Sequence, residues 1–319
     1  MKTILIIGLG NIGLRHAESI IKKNRFKLDI LDIRKNKINS FKKKILRFKK
    51  NNLNFYDNIN KINSTYDLVI IATNSLNRDI LISKIIKKTK FSKLITEKIV
   101  FQNISLYQKY ISLFKKLKIK CWVNCSNRFM PSFIKLKKYF NKNDPITMFV
   151  YGDKWNMASN FVHYVDLFSF FINDTNIKVQ TLNLSKKIIK SKHKDCYEFT
   201  GNVSLISRNK SSLILERTND NLDHIIKIYS KNFYFELNKN NKNAYIKTPN
   251  KELKKINFNI PLQSEMTNNL CVSLLKDNKE PLSNLNNHFC MNKDLFEKIK
   301  NHYKLIKTNK SKFVDLPIT

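Results

Sequence analysis

Two patterns of hydrophobic and polar positions divide the chain. In residues 1–125, short apolar runs alternate with longer amphipathic stretches, and runs such as Ile4–Ile7 and Leu68–Ile71 contain no polar residue. Such runs are typical of parallel strands that helices cover on both faces. The predicted strands are Thr3–Ile7, Lys27–Ile33, Asp67–Ala72, Lys93–Thr96 and Lys120–Asn124, and the predicted helices are Ile12–Lys23, Lys35–Phe48, Asn77–Lys88 and Ile104–Leu117. This alternation predicts an α/β domain with a doubly wound parallel sheet of the Rossmann type.

The second half has a different pattern, because several strand-like runs follow one another between residues 177 and 248 without long helices between them. The predicted strands are Thr147–Tyr151, Tyr197–Ser207, Ser212–Arg217, His224–Tyr229 and Phe233–Leu237, and the predicted helices are Pro131–Tyr139, Asn160–Phe171, Gln263–Lys276 and Lys293–Ile306. The pattern predicts an α+β domain with an open, largely antiparallel sheet. A chain of 319 residues is long enough for two domains, which we expect at 1–125 and 126–319.

Composition adds a strong positive charge to this picture. Lys and Arg number 60 against 24 Asp and Glu, so the formal net charge is +36. One interpretation is nucleic-acid binding, and the other is a compositional bias toward Lys, Asn and Ile. Only eight of the basic residues are Arg, whose planar fork most often recognises base edges, so the second interpretation is favoured. In either case the field attracts anionic small molecules such as dinucleotides and sugar phosphates.

The cysteines and the apolar runs bear on compartment. The five cysteines form no CxxC pair, which predicts reduced thiols rather than disulfides or a metal site. No apolar stretch approaches the roughly 18 residues of a membrane span. The apolar run at residues 3–9 is soon interrupted by Asn11, Arg15 and His16, unlike a signal peptide. We therefore expect a cytoplasmic protein without a metal.

A glycine-rich turn follows the first predicted strand. Three of the five glycines in the chain are Gly8, Gly10 and Gly13, in the spacing GxGxxG that opens the first predicted helix. In this context Gly8 permits a tight turn, Gly10 lets the backbone approach a diphosphate, and Gly13 lets the helix pack against the strand. The helix N-terminus presents N–H groups and a partial positive charge to the phosphates. The turn therefore predicts a dinucleotide-binding site.

A carboxylate for the adenosine ribose is expected at the end of the second strand. Asp32 lies there, nineteen residues after Gly13, and favours NAD because its charge would repel a 2′-phosphate. Arg34 could instead stack on adenine or contact a phosphate, so NADP is the alternative cofactor. Asp29 is a competing carboxylate inside the strand, and a further interpretation is that Asp32 only caps the following helix.

At this point the chain resembles the Gfo/Idh/MocA oxidoreductases, a family named after glucose–fructose oxidoreductase and inositol dehydrogenase. Five stretches over residues 1–171 match the family in order: Gly8–His16, Ile71–Asn74, Thr96–Lys98, Asn127–Pro131 and His163–Asp166. The resemblance implies hydride transfer between a nicotinamide cofactor and a carbinol carbon of a sugar, a sugar derivative or a nucleotide sugar, in a niche such as surface-glycan biosynthesis. We expect a homo-oligomer, a dimer or tetramer, because an open sheet leaves one face to be covered.

The motif and the resemblance together assign roles to individual residues. Predicted cofactor contacts are Gly8, Gly10, Asn11, Ile12, Gly13, Asp32, Arg34, Ala72, Thr73, Asn74 and Glu97. Predicted catalytic residues are Lys98, His163 and Asp166, and predicted substrate contacts are Lys98, Asn127, Arg128, Trp155, Asn160 and His163. His163 is the first choice to take the hydroxyl proton, with Asp166 orienting its imidazole, while Lys98 would stabilise a developing alkoxide. Trp155 and His163 also fit a core role, and Arg128 fits either anion binding or a role in holding the domains.

Two departures from the family pattern affect these assignments. Ile99 replaces the proline that usually follows the Glu-Lys pair, and Ser159 occupies the position where the family commonly has Asp, four residues before His163. A serine hydroxyl cannot supply the charge of a carboxylate. The sequence thus leaves open an impaired NAD-binding regulatory module of the same fold, besides the enzyme and the less favoured nucleic-acid binder.

Overall fold

The computed structural model describes residues 1–46, 52–140, 144–153, 155–193, 195–306 and 315–319. These residues form two compact units. The first contains residues 1–101, 105–126 and 261–285, and the second contains residues 102–104, 127–260 and 286–319. Among the described residues, no helix combines the length and the hydropathy that crossing a bilayer requires.

The strands are β1 (Thr3–Ile7), β2 (Lys27–Leu31), β3 (Leu53–Tyr56), β4 (Leu68–Ile71), β5 (Lys93–Thr96), β6 (Lys120–Val123), β7 (Thr147–Tyr151), β8 (Ile177–Leu184), β9 (Ile189–Lys190), β10 (Tyr197–Glu198), β11 (Gly201–Ser207), β12 (Ser212–Arg217), β13 (Ile225–Ser230), β14 (Phe233–Asn238), β15 (Ala244–Lys247) and β16 (Lys254–Ile256). The helices are α1 (Asn11–Lys23), α2 (Lys35–Lys44), α3 (Arg78–Lys88), α4 (Ile104–Lys116), α5 (Pro131–Lys137), α6 (Met157–Ile172), α7 (Gln263–Leu275) and α8 (Leu285–Ile306).

The first unit is built on a parallel sheet of six strands in the order β3-β2-β1-β4-β5-β6. The order reverses between β1 and β4, where Ile7 pairs with Ile71. The central strands β1 and β4 are almost wholly buried, in agreement with their unbroken apolar sequence. In such sheets, ligands bind beside the carboxyl ends of the strands at the reversal point. The predicted Rossmann architecture is confirmed.

Helix α7 returns to the first unit from late in the chain and packs against α1. The N–H of Asn268 donates to Ser19 Oγ at 2.9 Å, and Met266, Leu270 and Leu274 of α7 are buried. The predicted division at residue 125 assigned this segment to the second domain, and the structure differs there. The amphipathic pattern of α7 predicted a helix but not the helix on which it packs.

The second unit carries a sheet of eight strands in the order β16-β15-β14-β13-β7-β12-β11-β8. All neighbours are antiparallel except β7 and β12, so the sheet is mixed and largely antiparallel, as predicted. The single strand predicted at Tyr197–Ser207 is wrong, because β10 pairs with β9 while β11 enters the large sheet. At the start of β11, Gly201 has φ +116°, and an added Cβ would lie 2.1 Å from Asn183 O.

Several predicted boundaries differ from those observed. Strand β3 was not predicted, since all four of its residues are only half-buried and its sequence has no long apolar run. Helix α6 begins at Met157 rather than at residue 160, and α8 begins at Leu285 rather than at residue 293. Helix α2 ends at Lys44, and residues 47–48 of the predicted helix lie outside the described residues.

Candidate active site

The glycine turn joins β1 to α1 at the reversal point of the sheet. Gly8 has φ +98°, a conformation that side chains rarely tolerate, and its Cβ position lies 3.1 Å from Thr73 Cγ2. A Cβ on Gly13 would lie 1.8 Å from Gly8 O. Glycine at these two positions therefore lets α1 approach the end of β1 much more closely than any side chain would allow.

Gly10 has the opposite environment, because a Cβ added there would meet no described atom within 4 Å. Gly10 is the N-cap of α1, and among the described residues no side chain caps this terminus. Asn11 and Ile12, the first residues of the helix, are exposed, and the first turn contains no acidic residue. Open space beside uncapped N–H groups at a positive helix end fits the diphosphate of a dinucleotide.

Asp32 follows β2 and is buried, with only 5 % of its surface exposed. One oxygen, Oδ2, accepts from Leu9 N–H at 2.6 Å and from Arg34 Nη2 at 2.7 Å, while Oδ1 accepts from Arg34 N–H and Nε, both at 2.9 Å. Burial disfavours the charge, but the hydrogen bonds from Arg34 and Leu9 outweigh it and lower the pKa of Asp32. Asp32 is therefore an ionised group attached directly to the glycine turn.

The competing carboxylate, Asp29, has a structural role. It is fully buried within β2 and accepts hydrogen bonds from Asn54 Nδ2 at 2.8 Å, Asn63 Nδ2 at 2.6 Å and Tyr66 OH at 2.8 Å. These three donors tie β2 to the segments around them. The helix after Asp32 takes Arg34 as its N-cap, with no side-chain cap, so the capping interpretation of Asp32 does not describe this structure.

The end of β4 forms the opposite side of the glycine turn. Ala72 N–H donates to Ile7 O at 2.8 Å, and the Ala72 carbonyl oxygen lies 3.2 Å from the Cβ position of Gly8. Thr73 is half-buried and Asn74 is exposed. The predicted cofactor residues from the β1 and β4 ends are thus brought together at the carboxyl edge of the sheet.

Glu97 directly follows β5 and lies in a buried network that the sequence did not predict. Its Oε1 lies 2.9 Å from His16 Nε2 and accepts from Asn124 Nδ2 at 2.5 Å, and His16 Nδ1 lies 2.8 Å from Thr267 Oγ1. Burial disfavours the Glu97 charge, yet the His16 and Asn124 contacts, with the nearby Lys98 charge, lower the pKa of Glu97. The network joins α1, β5 and α7 within the first unit.

Lys98 is half-buried in the turn after β5, and the buried guanidinium of Arg78 holds that turn. Arg78 Nη1 donates to the carbonyl oxygens of Glu97 at 2.6 Å, of Val100 at 3.0 Å, and of Ile99. Its Nη2 donates to the Thr73 carbonyl, so one side chain joins the turns after β4 and β5. Burial lowers the pKa of Arg78 to about 10. This contact gives the turn a restraint where the family has a proline.

In the second unit, the N-terminal half of α6 carries Ser159, Asn160 and His163, all half-buried. Ser159 and His163 are four residues apart and thus lie on one face of the helix. The Asn160 side chain donates to the carbonyl oxygen of Asn156 at 2.9 Å. Asn160 therefore contacts Asn156, the N-cap of α6, and its role as a substrate contact stays a prediction.

Glu198 of β10 brings a carboxylate to Ser159, a placement that no sequence motif indicates. Its Oε2 accepts from Ala158 N–H at 2.8 Å, its Oε1 accepts from Ser159 Oγ, and Arg217 Nη1 lies 3.7 Å from Oε2. Only 3 % of Glu198 is exposed, and this burial outweighs the hydrogen bonds and raises its pKa. The carboxyl group that the sequence lacks at residue 159 is thus supplied from another strand.

Arg128 and Asp166 form a buried ion pair. Arg128 Nε donates to Asp166 Oδ2 at 2.7 Å and Nη2 donates to the Asp166 carbonyl at 3.0 Å, while Asp166 is fully buried. The guanidinium also lies over the ring of Phe170, 5.5 Å from its centroid. Asp166 therefore holds Arg128, a role that the predicted orientation of His163 did not include. Asn127, just before Arg128, is 9 % exposed.

Trp155 lies in the core at the start of α6. It is 4 % exposed, its indole N–H donates to the Glu216 carbonyl at 3.0 Å, and its ring stacks on His224 with centroids 5.4 Å apart. Burial lowers the pKa of His224 to about 3, so this ring is neutral near pH 7. The contacts favour the core interpretation of Trp155.

Comparison with known proteins agrees with this description. Residues 2–125 match the family model described as "Oxidoreductase family, NAD-binding Rossmann fold". No curated protein sequence matches the chain significantly.

Solved structures extend the similarity of fold to nearly the whole chain. The dehydrogenase MviM from Clostridium difficile is 14 % identical with a TM-score of 0.69, covering 96 % of this chain and 98 % of its own. UDP-N-acetylglucosamine 3-dehydrogenase GnnA from Acidithiobacillus ferrooxidans is 11 % identical with a TM-score of 0.69, at 92 % and 95 % coverage. The WlbA dehydrogenase from Bordetella pertussis, solved with NADH and UDP-GlcNAcA, is 15 % identical with a TM-score of 0.63, at 91 % and 93 % coverage.

Proposed function

We propose that the chain is a sugar dehydrogenase or reductase of the Gfo/Idh/MocA oxidoreductase family, whose model with its NAD-binding Rossmann fold matches residues 2–125. It transfers a hydride between a nicotinamide cofactor and a carbinol carbon of a sugar, a sugar derivative or a nucleotide sugar. The observation that carries the proposal is the open, uncapped start of α1 at Gly10, with the ionised Asp32 carboxylate bonded to the same turn.

Two observations support a nucleotide sugar as the substrate class. GnnA is a UDP-N-acetylglucosamine dehydrogenase, and WlbA was solved with UDP-GlcNAcA. The net charge of +36 attracts an anionic diphosphate whatever the origin of the lysines. A role in surface-glycan biosynthesis follows as part of the same proposal.

When bound, the nicotinamide ring accepts the hydride, and the chain must accept the hydroxyl proton. We assign the proton to His163, because an imidazole is the most common general base in enzymes. The ammonium of Lys98 stabilises the developing alkoxide. Arg78 fixes the turn that carries Lys98 by donating hydrogen bonds to its backbone carbonyl oxygens. Asp166 contributes indirectly by holding Arg128.

The Ser159–Glu198 pair argues for an active enzyme over an impaired module. The Ser159 hydroxyl donates a hydrogen bond to Glu198, so its oxygen can serve only as an acceptor towards other groups. An acceptor one helical turn before His163 suits a sugar hydroxyl. Glu198 thus brings to this position the carboxyl group that Ser159 lacks.

We also propose that the chain self-associates through the eight-stranded sheet. Along β7, buried Met148 and Val150 alternate with half-exposed Thr147, Phe149 and Tyr151. Phe149 stacks on Tyr229, which is 42 % exposed, at a centroid distance of 5.9 Å. An aromatic sheet face of this kind is suited to a copy of itself. Light scattering of the purified protein gives the oligomeric state, and a monomer at micromolar concentration contradicts this part of the proposal.

The test of the function begins with cofactor binding. NADH is titrated into the wild type, Gly10→Ala and Gly10→Asp, with the fluorescence of reduced nicotinamide as the signal. At φ −72°, both side chains fit the Gly10 backbone, and both project into open space. The alanine variant is the matched control for folding, and the aspartate variant places a negative charge where the diphosphate binds.

We expect binding by the wild type and its loss in Gly10→Asp, and the absence of wild-type binding to both NADH and NADPH contradicts the proposal. Incubation of the protein with NAD⁺ or NADP⁺ and a panel of UDP-sugars then tests turnover. Reduced nicotinamide appears only if a substrate is oxidised.

A further inference from the structure

Arg217, the last residue of β12, has a guanidinium group that is only partly satisfied. Its Nε and Nη1 atoms are buried, and neither makes a hydrogen bond to a described residue. Oε2 of Glu198 lies 3.7 Å from Nη1, which is too far for a hydrogen bond. The side chain is not sealed off, because 13 % of it is exposed. A buried charged donor without an acceptor costs free energy, so this group points to an acceptor that a ligand supplies.

Arg217 continues the apolar row of its own strand. Leu213, Leu215 and Arg217 alternate along β12 and therefore share one face of the sheet. Both leucines are fully buried, and β12 contacts α6. A third apolar residue would fit this row at a smaller desolvation penalty, so the charge is better explained by binding than by folding.

Glycines lie on both sides of Arg217 in the sheet. On β11 it pairs with Gly201. On the other side, the parallel register pairs Leu215 with Val150 of β7, which places Gly152 beside Arg217 two residues further on. Residues that lie opposite each other on neighbouring strands are the ones whose side chains meet. The two cross-strand positions that could have supplied a side-chain acceptor therefore supply none.

The guanidinium also lies close to the residues proposed to bind the sugar, all within the second unit. Glu198 contacts Arg217 with one oxygen, and its other oxygen accepts from the Ser159 hydroxyl. Ser159 and His163 are one helical turn apart, so their Cβ atoms are about 5–6 Å apart. Because His163 is assigned to the reacting hydroxyl of the sugar ring, a group bound this close to it belongs to the same ring.

The charge of Arg217 is not fully compensated inside the unit. Burial raises the pKa of Glu198, which favours its neutral carboxyl form. Both Glu198 oxygens already accept hydrogen bonds, from Ala158 N–H and from the Ser159 hydroxyl. A guanidinium in these surroundings attracts an anion, and its planar fork matches a carboxylate through two parallel N–H···O bonds. A neutral hydroxyl in the same place would leave the charge uncompensated.

We propose that Arg217 binds a carboxylate on the sugar ring, so that the substrate of the chain is a sugar acid, such as a nucleotide sugar in its uronic-acid form. This inference rests on the proposed function and specifies its substrate class. Arg217 is the specificity-determining residue, and Glu198 links it to the face of α6 that carries Ser159 and His163.

The test compares UDP-glucuronate with UDP-glucose, two ligands that differ only in a carboxylate against a hydroxymethyl group. Calorimetry measures their dissociation constants with NADH or NADPH bound, whichever the protein binds more tightly, because a reduced cofactor cannot accept a hydride and no turnover interferes. The wild type should bind UDP-glucuronate at least about tenfold more tightly than UDP-glucose. Arg217→Met should lose this preference, as expected for a missing charge-assisted contact.

Two further variants keep the test decisive. Arg208, whose side chain is 72 % exposed, is the matched control, and Arg208→Met should keep the preference of the wild type. Arg217→Lys retains the charge but loses the planar fork, so its preference should lie between those of the wild type and Arg217→Met. Circular dichroism shows whether each variant folds. If Arg217→Met does not fold, Arg217→Lys decides alone, and an undiminished preference overturns the inference.

Two other outcomes overturn the inference and leave the cofactor half of the proposed function intact. One is wild-type protein that binds the reduced cofactor but does not prefer UDP-glucuronate, including protein that binds neither UDP-sugar. The other is a folded Arg217→Met that keeps the wild-type preference. If the wild type binds neither NADH nor NADPH, the proposed function itself fails, and the inference fails with it.

Discussion

Ser159 and Glu198, 39 residues apart in the chain, share a hydrogen bond in which the hydroxyl donates to a carboxylate that is 3 % exposed. The same carboxylate accepts from the N–H of Ala158 in the first turn of α6. Because Glu198 accepts from one of the N–H groups that lack a partner within the helix at this terminus, it stabilises α6 as well as orienting Ser159. Although Ser159 stands where the family commonly has Asp, the side chain of Glu198 therefore keeps a carboxyl group at this place in the site.

Ser159→Asp, which brings the chain closer to the family pattern, should destabilise the protein rather than improve it. The new carboxylate would lie within hydrogen-bonding distance of buried Glu198, and two such charges cannot both be ionised without cost. We expect a loss of about 2 kcal/mol in the free energy of unfolding. Urea unfolding measures it, and Ser159→Ala, which removes the hydroxyl and its hydrogen bond to Glu198, is the control at about 1 kcal/mol.

A compensating substitution at residue 198 tests the same contact between residues 159 and 198. Adding Glu198→Gln to Ser159→Asp removes the repulsion and should recover most of the lost stability. If Ser159→Asp alone is as stable as the wild type, the contact between residues 159 and 198 is not the one described.

The raised pKa of Glu198 predicts a pH dependence. Its folded-state pKa lies above the ordinary value of 4.5, so its contribution to stability is complete below that pH and decreases as the pH rises through the folded-state pKa. In Glu198→Gln this contribution does not titrate. The stability of the wild type relative to the variant should therefore fall as the pH rises above 4.5. Thermal unfolding at a series of pH values measures the difference, and a parallel pair of curves contradicts the assignment.

Gly13→Ala should disturb the cofactor turn far more than Gly10→Ala. A Cβ at residue 13 would lie 1.8 Å from Gly8 O, so α1 must move, whereas a Cβ at residue 10 meets nothing within 4 Å. Overpacking of this kind costs about 1–3 kcal/mol. We expect Gly13→Ala to lower the melting temperature and to abolish NADH binding, while Gly10→Ala melts like the wild type. Equal melting temperatures for the two variants would show that the turn is looser than described.

Arg78→Met should destabilise the first unit and weaken cofactor binding together. The substitution keeps an apolar chain of similar length but leaves the carbonyl oxygens of Thr73, Glu97, Ile99 and Val100 without their guanidinium donor. The loss of a buried charged donor costs about 3 kcal/mol. Urea unfolding and NADH titration are the measurements. The exposed Arg25→Met is the matched control and should change neither.

The sequence predicts the geometry of the glycine turn well, because its signals are local. Gly8, Gly10 and Gly13 lie within six residues, and Asp32 follows at the end of the next strand. The choice between Asp32 and Asp29 also follows from register, since Asp29 lies inside β2 and is surrounded by Asn54, Asn63 and Tyr66. Short-range spacing and strand position suffice for this part.

The residues that the sequence missed act over long separations. Thr267 contacts His16 across 251 positions, and Glu198 comes from a strand of two residues in a region without a motif. Arg78 is a single Arg whose role depends on carbonyl oxygens that meet only when β4 and β5 pair. Hydrophobic periodicity specifies which face of an element is buried, but not which distant side chain meets it.

The placement of α7 beside α1 has a consequence for biosynthesis. During translation, residues 127–260 of the second unit leave the ribosome before the helix that completes the first unit. The nucleotide-binding unit therefore stays unfinished, with the apolar surface of α1 uncovered, until residues 261–285 have been made. An expression fragment that stops at residue 125 would keep that surface exposed permanently and should aggregate, whereas a fragment continuing through residue 285 contains every segment of the unit.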